Sequence, residues 1–555
     1  MEDPRISTLK TVLSKIVRYA NFLAVYKKQL YKRANLDRFK IAMTHKSATS
    51  GEYDALTRFM GSKFADLEAV FYGIENDTEP VDEVYWLSNV KNRIRSMYAS
   101  KLFGMNIENS VYIDPNYLSK VEYKMEKVAN DITEDIFMSL LGSIGMILMD
   151  QCDICLGSVS VYMTNIFSKI ISESGIKLTG KNIFNSATKM LRVYKNLQVE
   201  KKSMVQVSHV KKGDIRETTV QVYLPNVGKP ILLSKVIGPN EDAAKKTAFN
   251  NAVKKLEILN PRLLESAYHV KKYSGVKCTY ANKNITDFVQ EILLSADISE
   301  EYVSDISSFS ELWTRAFTHK SVSEKCNYEF YEFLGDPIVN LCVLNYMYTT
   351  MPEIKNIAWI FKIHSYLVSE SYLSVLCEKS GMSKYITYDK YDSSIQVHKV
   401  YEDVFESFFG CLAFIIVKKL KLPRGCAVEL SNVIITNLLQ ESTPDLSFEN
   451  IFDAAALLKE IYDSNDIGLK WPSKLTEMFF TKKVGSQYQV NVNAWVDSQG
   501  KNVYDPSNIA KNRRIIATGT SSNLEEAKRI AVYRAFEELE KFNIRHVKPA
   551  PNTYQ

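Results

Sequence analysis

Residues 330–344 read FYEFLGDPIVNLCVL, and residues 56–71 read LTRFMGSKFADLEAVF. The two stretches share a Phe, an apolar residue and a Gly in the same order, and Gly335 lies 274 residues after Gly61. In both stretches apolar residues recur at helical spacing, and the strict alternation of a half-buried strand is absent. The pattern predicts the same helix at two places in the chain.

Two other segments repeat around these helices. The sequence THKS ends at Ser47 before the first helix and at Ser321 before the second, again 274 residues apart. Farther along, EDIFMSLLGSIGMI begins at Glu134 and EDVFESFFGCLAFI begins at Glu402, at an offset of 268. Three matches in one order at nearly constant offset indicate an internal duplication.

The duplication predicts the domain organisation. A first helical copy covers residues 8–178 and a second covers residues 286–440. Each is followed by a segment in which helical and alternating patterns are mixed, at residues 182–259 and 447–543, and a polar linker covers residues 260–285. We therefore predict an α+β multidomain protein, in which each of two all-helical domains precedes an α-β-β-β-α module.

The elements of the modules are read from alternation and from turn residues. In the first module a helix over Ser186–Leu197 should precede the strands MVQVSHV, TTVQVYL and PILLSKVI and a helix that begins near Asp242. In the second module a helix over Asp453–Tyr462 should precede the strands TEMFF, YQVNVNAWV and RRIIATGT and the helix EEAKRIAVYRAFEEL. The order of elements is the same in both modules.

The charge of the chain is concentrated in these modules. The net charge of the 555 residues is +6, but residues 196–258 hold 11 Lys and Arg against 6 Asp and Glu, and residues 470–541 hold 12 against 8. Two basic modules in an otherwise slightly acidic chain suit a polyanionic partner, although a solvated basic face would have the same composition.

Composition and local sequence argue against export and against a membrane span. The N-terminal sequence MEDPRISTLK has no apolar signal core, and the uncharged run Ile136–Met149 is too short to span a bilayer comfortably, so a buried helix is expected there. The eight cysteines are scattered, which predicts free thiols rather than a disulfide framework. We expect an intracellular protein, cytoplasmic or nuclear, and the composition is compatible with a virus-encoded one.

Acidic residues of the second copy fall on two helix faces. Glu329, Glu332 and Asp336 stand at i, i+3 and i+7, so they share one face of a helix. Asp403 and Glu406 form an i, i+3 pair inside an apolar helix, where carboxylates are costly unless they are paired, protonated or bound to a cation. Two such faces brought together would form an oxygen-rich site for Mg²⁺ or Mn²⁺.

The first copy provides an internal control for this interpretation, since isolated acidic pairs are usually solvated. Its residues at the positions of Glu329, Glu332, Asp336 and Glu406 are Ala55, Arg58, Ser62 and Met138. The first copy retains the glycine and the THKS segment, and it retains Asp135 at the position of Asp403. Because the fold tolerates the loss of four acids, chemistry explains them better than architecture does.

These motifs resemble the signatures of the ribonuclease III family. EFYEFLGD at Glu329–Asp336 is similar to the family's acidic helix, YEDVFESFFG to its second acidic motif, and THKS to its upstream Thr-His segment. The resemblance implies two ribonuclease III-like domains, each followed by a double-stranded RNA-binding-like domain. It also implies a metal-dependent endoribonuclease that cleaves double-stranded RNA and leaves 5′-phosphate and 3′-hydroxyl ends.

The resemblance also implies roles for the acids. Glu332, Asp403 and Glu406 would bind Mg²⁺, or Mn²⁺ in its place. Asp336, Glu406 and Glu329 would be the catalytic acids, with Asp336 supporting the metal-water network and Glu329 as an accessory acid. In the degenerate first copy Asp135 is expected to be a helix-start residue rather than a ligand.

Two further sets of residues are functional candidates: four cations for RNA binding, and two histidines for catalysis. Lys245 and Lys246 in the first module and Lys528 and Arg529 in the second open the last helix of each module, where cations can add to the helix dipole in binding phosphates. Lysine-rich helices commonly just present a solvated face.

Because His45 persists in the copy that lost its acids, His45 and the matching His319 are expected to pack or to link helices.

Three questions remain open from the sequence. The two ribonuclease III-like domains could pair within one chain, or two chains could form a homodimer through their second copies. The chain could instead be a non-catalytic double-stranded RNA-binding protein or ribonucleoprotein scaffold. A DNA nuclease is disfavoured by the duplex-RNA modules.

Overall fold

The computed structural model describes residues 4–45, 55–76, 125–174, 204–212, 215–223, 229–238, 241–259, 284–352, 357–446, 479–485, 487–495, 513–522 and 524–541, with the isolated positions 189, 190, 193, 261, 354 and 451. The chain divides into two compact units. One is formed by Met1–Tyr346 with Leu373–Glu441, and the other by Met347–Tyr372 with Ser442–Gln555.

Most of the described chain is helical. The helices of the first copy are α1 (Pro4–Ala20), α2 (Ala24–Leu30), α3 (Arg33–Ala42), α4 (Ala55–Asn76), α5 (Met125–Cys152) and α6 (Leu156–Ser174). The second copy contains α8 (Ile285–Leu294), α9 (Glu300–Ser307), α10 (Ser310–Ala316), α11 (Glu329–Thr350), α12 (Ile357–Leu367), α13 (Glu370–Lys379), a 3₁₀ turn (Met382–Tyr385), α14 (Val397–Phe414), a π turn (Ile415–Lys419) and α15 (Arg424–Ser442).

Two small antiparallel sheets follow the helical copies. The first has the order β1-β2-β3 and is followed by a helix: β1 (Met204–Lys212), β2 (Ile215–Tyr223), β3 (Ile231–Gly238) and α7 (Glu241–Leu259). The second repeats this order: β4 (Phe479–Val484), β5 (Gln487–Ala494), β6 (Arg514–Ser521) and α16 (Leu524–Glu540). Each sheet packs on its own helix, because Val220 and Val222 share a core with α7, and Val490 and Val492 share one with α16.

The structure agrees with the predicted β-β-β-α order of both modules where it describes them. The predicted helix over Ser186–Leu197 is described at three positions, all helical, of which Met190 and Val193 are buried in the core of the first sheet. The predicted helix over Asp453–Tyr462 lies outside the described residues. The domain boundaries therefore stay predictions.

One predicted strand is described only in part. The sequence TEMFF predicted the first strand of the second module at residues 476–480, of which the structure describes 479 and 480, and these begin β4 (Phe479–Val484). In this strand only Phe479 is half-buried and the other five residues are exposed, so it lacks the alternation that marks a half-buried strand. Edge strands of this kind are the hardest to place from sequence.

The expectation of free cysteines was wrong at one position. Cys326 is disulfide-bonded, and its partner lies outside the described residues. Six other cysteines are free, of which Cys342, Cys377 and Cys411 are buried. Burial raises the pKa of the Cys342 thiol well above its ordinary value, so this residue acts as a small apolar side chain in the core.

The apolar run of the first copy lies within a longer helix than the sequence indicated. The segment Glu134–Cys152 of α5 is long and apolar enough to cross a membrane by length and composition alone. In the structure, 72% of the apolar stretch of this segment is buried inside the protein. Ile136, Leu140 and Ile144 are at most 2% exposed, so this segment forms part of a protein core.

The two copies contact each other inside the first unit at the starts of α6 and α15. A Cβ atom on Gly157 would lie 2.3 Å from the carbonyl oxygen of Gly425, and a Cβ on Gly425 would lie 2.4 Å from that of Gly157. The Gly157 N–H donates to Glu429 Oε2 at 2.8 Å. Because Gly425 follows Gly157 by 268 residues, an offset of the repeat, the same position of each copy meets the other.

A buried ion pair also joins the copies. Arg424 of α15 donates to Glu68 Oε2 of α4 at 2.8 Å, and the two side chains are 5% and 0% exposed. Thr164 Oγ1 lies 2.9 Å from both carboxylate oxygens, and Ser160 adds a longer hydrogen bond. A pair of this kind is costly to break from one side, by about 3–5 kcal/mol, because the remaining charge stays buried.

Glu68 should make the stability of the protein fall as pH rises from about 4.5 to about 7. Burial raises the pKa of Glu68 from 4.5 to about 7, although Arg424, Thr164 and Ser160 oppose the shift. In this window Glu68 is ionised in the unfolded chain and protonated in the folded one, so raising the pH favours unfolding. The cumulative loss should be on the order of 3 kcal/mol, with no further change from this group above the folded pKa.

Denaturant unfolding at several pH values would measure this effect. Glu68→Gln is the matched control, since its amide does not titrate and can still accept a hydrogen bond from Arg424. The difference in unfolding free energy between the two proteins should change between pH 5 and 7 and level off above. A constant difference across that range would contradict the assignment.

Candidate active site

The site is built where α11 crosses α14. A Cβ on Gly335 would lie 1.8 Å from the carbonyl oxygen of Glu406, and a Cβ on Gly410 would lie 1.9 Å from that of Tyr331. The two helix backbones therefore touch, which only glycine permits at these positions. Because Gly335 lies between Glu332 and Asp336, the crossing brings these acids against Glu406.

The same crossing occurs in the first copy. A Cβ on Gly61 of α4 would lie 1.8 Å from the carbonyl oxygen of Met138, and a Cβ on Gly142 of α5 would lie 1.8 Å from that of Thr57. Gly61 and Gly142 match Gly335 and Gly410 at the two offsets of the repeat. The glycines are shared because they set the helix crossing, and this geometry is independent of the acids.

A cavity of about 900 Å³ opens beside the crossing of α11 and α14. All five acids predicted from the sequence line it: Glu329, Glu332, Asp336, Asp403 and Glu406. Asp403 and Glu406 are each 7% exposed, whereas Glu332 and Asp336 are half-buried. The structure therefore brings together the two acidic helix faces that the spacing predicted.

Asp403 is held between a hydroxyl group and an ammonium group. Tyr328 Oη donates to Asp403 Oδ2 at 2.8 Å, and Lys399 Nζ lies 2.8 Å from Asp403 Oδ1. Lys399 also donates to Glu402 Oε2 at 2.8 Å. The buried Asp403 Oδ1 atom has this ion pair with Lys399 and accepts no further hydrogen bond from the described residues.

Burial and like charge make the ionised carboxylates costly in this cavity. Burial, reinforced by Asp403, raises the pKa of Glu332 to about 8, although Lys399 opposes the shift. Burial, reinforced by Asp336, raises the pKa of Glu406 well above its ordinary range. A bound cation would relieve both costs, because a nearby positive charge favours the ionised form.

These residues fit a divalent cation in donor type. Carboxylate oxygens are the ligands that Mg²⁺ and Mn²⁺ prefer, and Asp403 Oδ1 is a buried acceptor without a hydrogen bond. As the described side chains stand, no three of them converge as a ready-made metal site. Ligation by Glu332, Asp403 and Glu406 would therefore require these side chains to adjust.

The first copy contains an internal cation at the matching place. Arg58 Nη2 lies 2.5 Å from Asp135 Oδ1, and these residues match Glu332 and Asp403. Ser62 and the buried Met138 stand where the second copy has Asp336 and Glu406. Asp135, which was expected to be a helix-start residue, instead lies inside α5 and pairs with Arg58. The guanidinium group of Arg58 thus neutralises the acid that persists at the position of Asp403.

The Thr-His segment links the helices around the site. The His319 N–H donates to the Thr387 carbonyl at 2.8 Å, and the Tyr328 N–H donates to the Thr318 carbonyl at 3.0 Å. Burial and Lys320 lower the pKa of His319, although Asp403 opposes the shift. His319 lines the edge of the cavity and fixes the chain just before α11, in keeping with the helix-linking role predicted for it.

Sequence reasoning missed four charged residues that line the cavity, Lys320, Asp392, Lys399 and Glu402, of which the last two lie on α14 beside Asp403. Glu402 was hidden because the first copy keeps Glu134 at that position, so the internal comparison gave no contrast. Lys399 precedes Asp403 by four residues, a spacing that places the two side chains together on a helix. That spacing was the available signal. Tyr328 is 2% exposed, as an aromatic residue of the core is, but its hydroxyl also reaches the site.

The predicted RNA contacts lie elsewhere. Lys245 and Lys246 are exposed on α7, whose first turn also carries Glu241 and Asp242. On α16, Lys528 is half-buried and Arg529 is exposed. Among the described residues that line the acidic cavity, none of these four cations occurs.

Comparison with known proteins places the second copy in a family. Residues 329–414 match the family model described as Ribonuclease III domain. A protein of Invertebrate iridescent virus 6, provisionally named ribonuclease 3, is 27% identical over 282 residues, which are 47% of this chain and 89% of that protein. One of Frog virus 3 with the same provisional name is 23% identical over 31% of this chain and 47% of its own length.

A bacterial relative covers a smaller part of the chain. Ribonuclease 3 of Aliarcobacter butzleri is 27% identical over 200 residues, which are 35% of this chain and 82% of that protein. The acidic cavity between two crossed helices coincides with the matched residues 329–414. The second copy is a ribonuclease III domain. The chain thus carries a ribonuclease III domain and is similar to proteins named ribonuclease 3, which together support a ribonuclease III-type endoribonuclease.

Proposed function

We propose that this protein hydrolyses double-stranded RNA in a metal-dependent reaction, with one competent centre in each chain. The observation that carries the proposal is the contrast between the two matching sites. In the second copy, acids from α11 and α14 line an open cavity. In the first copy, Arg58 pairs with Asp135, and no acid stands at the positions that match Glu329, Asp336 and Glu406.

The chain's own residues would hold and orient the reacting groups. Glu332, Asp403 and Glu406 would hold Mg²⁺ or Mn²⁺, with Asp336 and Glu329 as further acids at the cavity wall. Tyr328 orients Asp403 through Oδ2. A divalent cation bound there would stabilise negative charge that develops on the phosphate and make a water molecule a stronger acid. Lys399, whose side chain is 45% exposed, would add a positive charge at the rim for a phosphate.

The proposed products are 5′-phosphate and 3′-hydroxyl ends. The oxygen of a water molecule forms a bond to phosphorus, and the bond between phosphorus and the 3′ oxygen breaks. One proton of that water is lost to a carboxylate or to solvent, and the departing 3′ oxygen gains a proton. The reaction is a hydrolysis and requires no oxidant or reductant.

We propose that the two sheet modules hold duplex RNA by its shape. Proteins contact A-form RNA mainly through phosphates and 2′-hydroxyl groups of its minor groove, and basic modules suit this contact. The exposed Lys245, Lys246 and Arg529 are candidates for phosphate contacts, with Lys528 beside Arg529.

We propose domain limits at residues 8–178, 182–259, 286–440 and 447–543. We also propose that the protein acts inside cells, because double-stranded RNA would be its substrate.

We further propose that the degenerate first copy takes the place of a second catalytic domain. The Glu68–Arg424 pair and the meeting of Gly157 with Gly425 support pairing of the two copies within one chain. The competing assembly is a homodimer of second copies, which would contain two competent centres. The number of strands cut in one encounter distinguishes these assemblies.

The monomer should nick one strand of a duplex in Mg²⁺ and should not cut in EDTA. The assay uses a long RNA duplex with a different label on each strand, an excess of protein whose monomeric state is checked by light scattering, and separation on native and denaturing gels. Nicks on the denaturing gel with intact duplex on the native gel are expected at early times. A parallel DNA duplex should remain whole.

Three other results would change the proposal. Paired breaks formed by the monomer at early times would contradict the single centre. Equal loss of RNA in Mg²⁺ and EDTA would contradict metal-dependent hydrolysis by this protein. Tight binding of duplex RNA with no cleavage in either condition would favour the non-catalytic scaffold.

A further inference from the structure

A hydrogen-bonded chain connects the first copy to an acid of the active site. Lys63 Nζ, on α4 of the first copy, donates to Asn340 Oδ1 on α11 of the second copy at 2.6 Å. Asn340 Nδ2 then donates to Asp336 Oδ1 at 2.7 Å and to the Asp336 carbonyl oxygen at 2.9 Å. Asp336 lines the acidic cavity. Lys63, which precedes Asn340 by 277 residues in the sequence, is thus connected to Asp336 through two hydrogen bonds.

The chemistry of lysine fixes the orientation of the Asn340 amide in this series of hydrogen bonds. An ammonium group donates hydrogen bonds and cannot accept them, so Asn340 must turn its oxygen towards Lys63. The NH₂ group of the same amide then faces Asp336, where it donates to the carboxylate. Without Lys63 the amide oxygen loses its donor, and the two hydrogen bonds to Asp336 alone hold the amide. The carboxylate of Asp336 would then be less firmly oriented.

The hydrogen-bonded chain runs from the first copy to the second. Pro337 of the second copy stands at the position of Lys63, and Asp66 of the first copy stands at the position of Asn340. Proline has no side-chain donor, so no matching chain can run from the second copy to the first. Ser62 of the first copy, at the position of Asp336, has no carboxylate to be oriented. The asymmetry follows the asymmetry of the two sites.

We propose that Lys63 is a positioning residue for the active site of the second copy, acting through Asn340 on Asp336. This proposal rests on the proposed function, because it assigns the degenerate copy a part in the reaction. The first copy then completes the geometry of the competent centre and is not merely a packing partner. Its effect should appear in the rate of the chemical step rather than in RNA binding.

Single-turnover cleavage of duplex RNA in Mg²⁺ tests this role. Lys63→Met keeps the length of the side chain and removes the donor, and it should lower the maximal rate about 10- to 100-fold, as loss of supporting contacts around a site typically does. The concentration of protein that gives half the maximal rate should not change, nor should the affinity for duplex RNA in EDTA. Lys63→Arg, which can still only donate, should restore most of the rate.

A double-substitution cycle separates positioning from stability. Asn340→Leu removes the connecting amide, so adding Lys63→Met to it should cause no further loss of rate. Lys169→Met removes one positive charge from α6 of the same copy, where Lys169 pairs with Glu173 at an exposed position. It should cleave at the wild-type rate. Thermal unfolding of each variant shows whether it is folded, and Lys63→Leu, which also lacks a donor, replaces Lys63→Met if the latter is not.

The outcomes separate this proposal from the proposed function. If the wild-type protein cleaves and Lys63→Met cleaves equally well, the positioning role is overturned and the proposed function stands. If Lys63→Met and Asn340→Leu act independently, the connection through the amide is overturned. If the wild-type protein does not cleave duplex RNA in Mg²⁺, the proposed function fails and the positioning role fails with it.

Discussion

Asp403→Asn should lower the single-turnover rate of duplex RNA cleavage by roughly 10³-fold or more, because it removes a proposed ligand of the metal ion. Substitutions of groups that only orient metal ligands already cost about 10- to 100-fold. The amide is neutral, and its NH₂ group would face Tyr328 or Lys399 in place of a carboxylate oxygen. The substitution keeps the shape of the side chain, so the fold and the binding of RNA should persist.

The chain itself offers the matched control, Asp135→Asn. Asp135 occupies the same position in the first copy and pairs there with Arg58. Because Arg58 is 42% exposed and Asp135 is 18% exposed, losing this pair should cost no more than about 1 kcal/mol. The Asp135→Asn protein should cleave within about threefold of the wild-type rate, which is what a difference of about 0.7 kcal/mol amounts to. Similar losses in both variants would show that the first copy takes part in catalysis through Asp135.

Gly335→Ala should prevent the second copy from folding normally. The added Cβ would lie 1.8 Å from the carbonyl oxygen of Glu406, far inside van der Waals contact, and the obstacle is backbone that cannot rotate away. The helices α11 and α14 would have to separate, which would open the core around Tyr331 and move Glu406. Overpacking of this severity exceeds the usual cost of about 1–3 kcal/mol, and we expect a loss of 4 kcal/mol or more.

Expression level, thermal unfolding and cleavage rate measure this effect. Gly145→Ala in α5 is the control, because its Cβ would meet the side-chain ring of Phe64 at 2.8 Å, and a ring can shift. Alanine also favours the helix over glycine by about 1 kcal/mol, which offsets part of the crowding. A Gly335→Ala protein with the wild-type unfolding temperature and cleavage rate would contradict the helix crossing.

The comparison of the two copies made much of the site predictable. Spacing placed Glu332 and Asp336 on one helix face, and Asp403 and Glu406 on another, and the structure brings both faces into one cavity. The glycines that persist in both copies are those at which the helix backbones touch. These inferences succeeded because helical periodicity is local, and because a duplicated fold separates residues needed for packing from residues that can be lost.

Other features could not be read in this way. The sequence left the assembly open, whereas the structure places Arg424 of one copy on Glu68 of the other. It also gave no indication that Lys63 would meet Asn340, since the two residues stand at different positions of the repeated helix and neither has the same residue type in the other copy. Such contacts join residues hundreds of positions apart. They depend on how completed helices pack, which the local pattern of neither segment specifies.

By itself, the sequence determined that the protein has two helical copies with a sheet module after each, and that only the second keeps a full set of acids. The residue types and their helical spacing were sufficient for this, because both are properties of short segments. Only the tertiary structure decided how the acids are held: by Tyr328 and Lys399 at Asp403, and by Lys63 through Asn340 at Asp336. The physical reason is that carboxylate orientation and burial are set by neighbours in space.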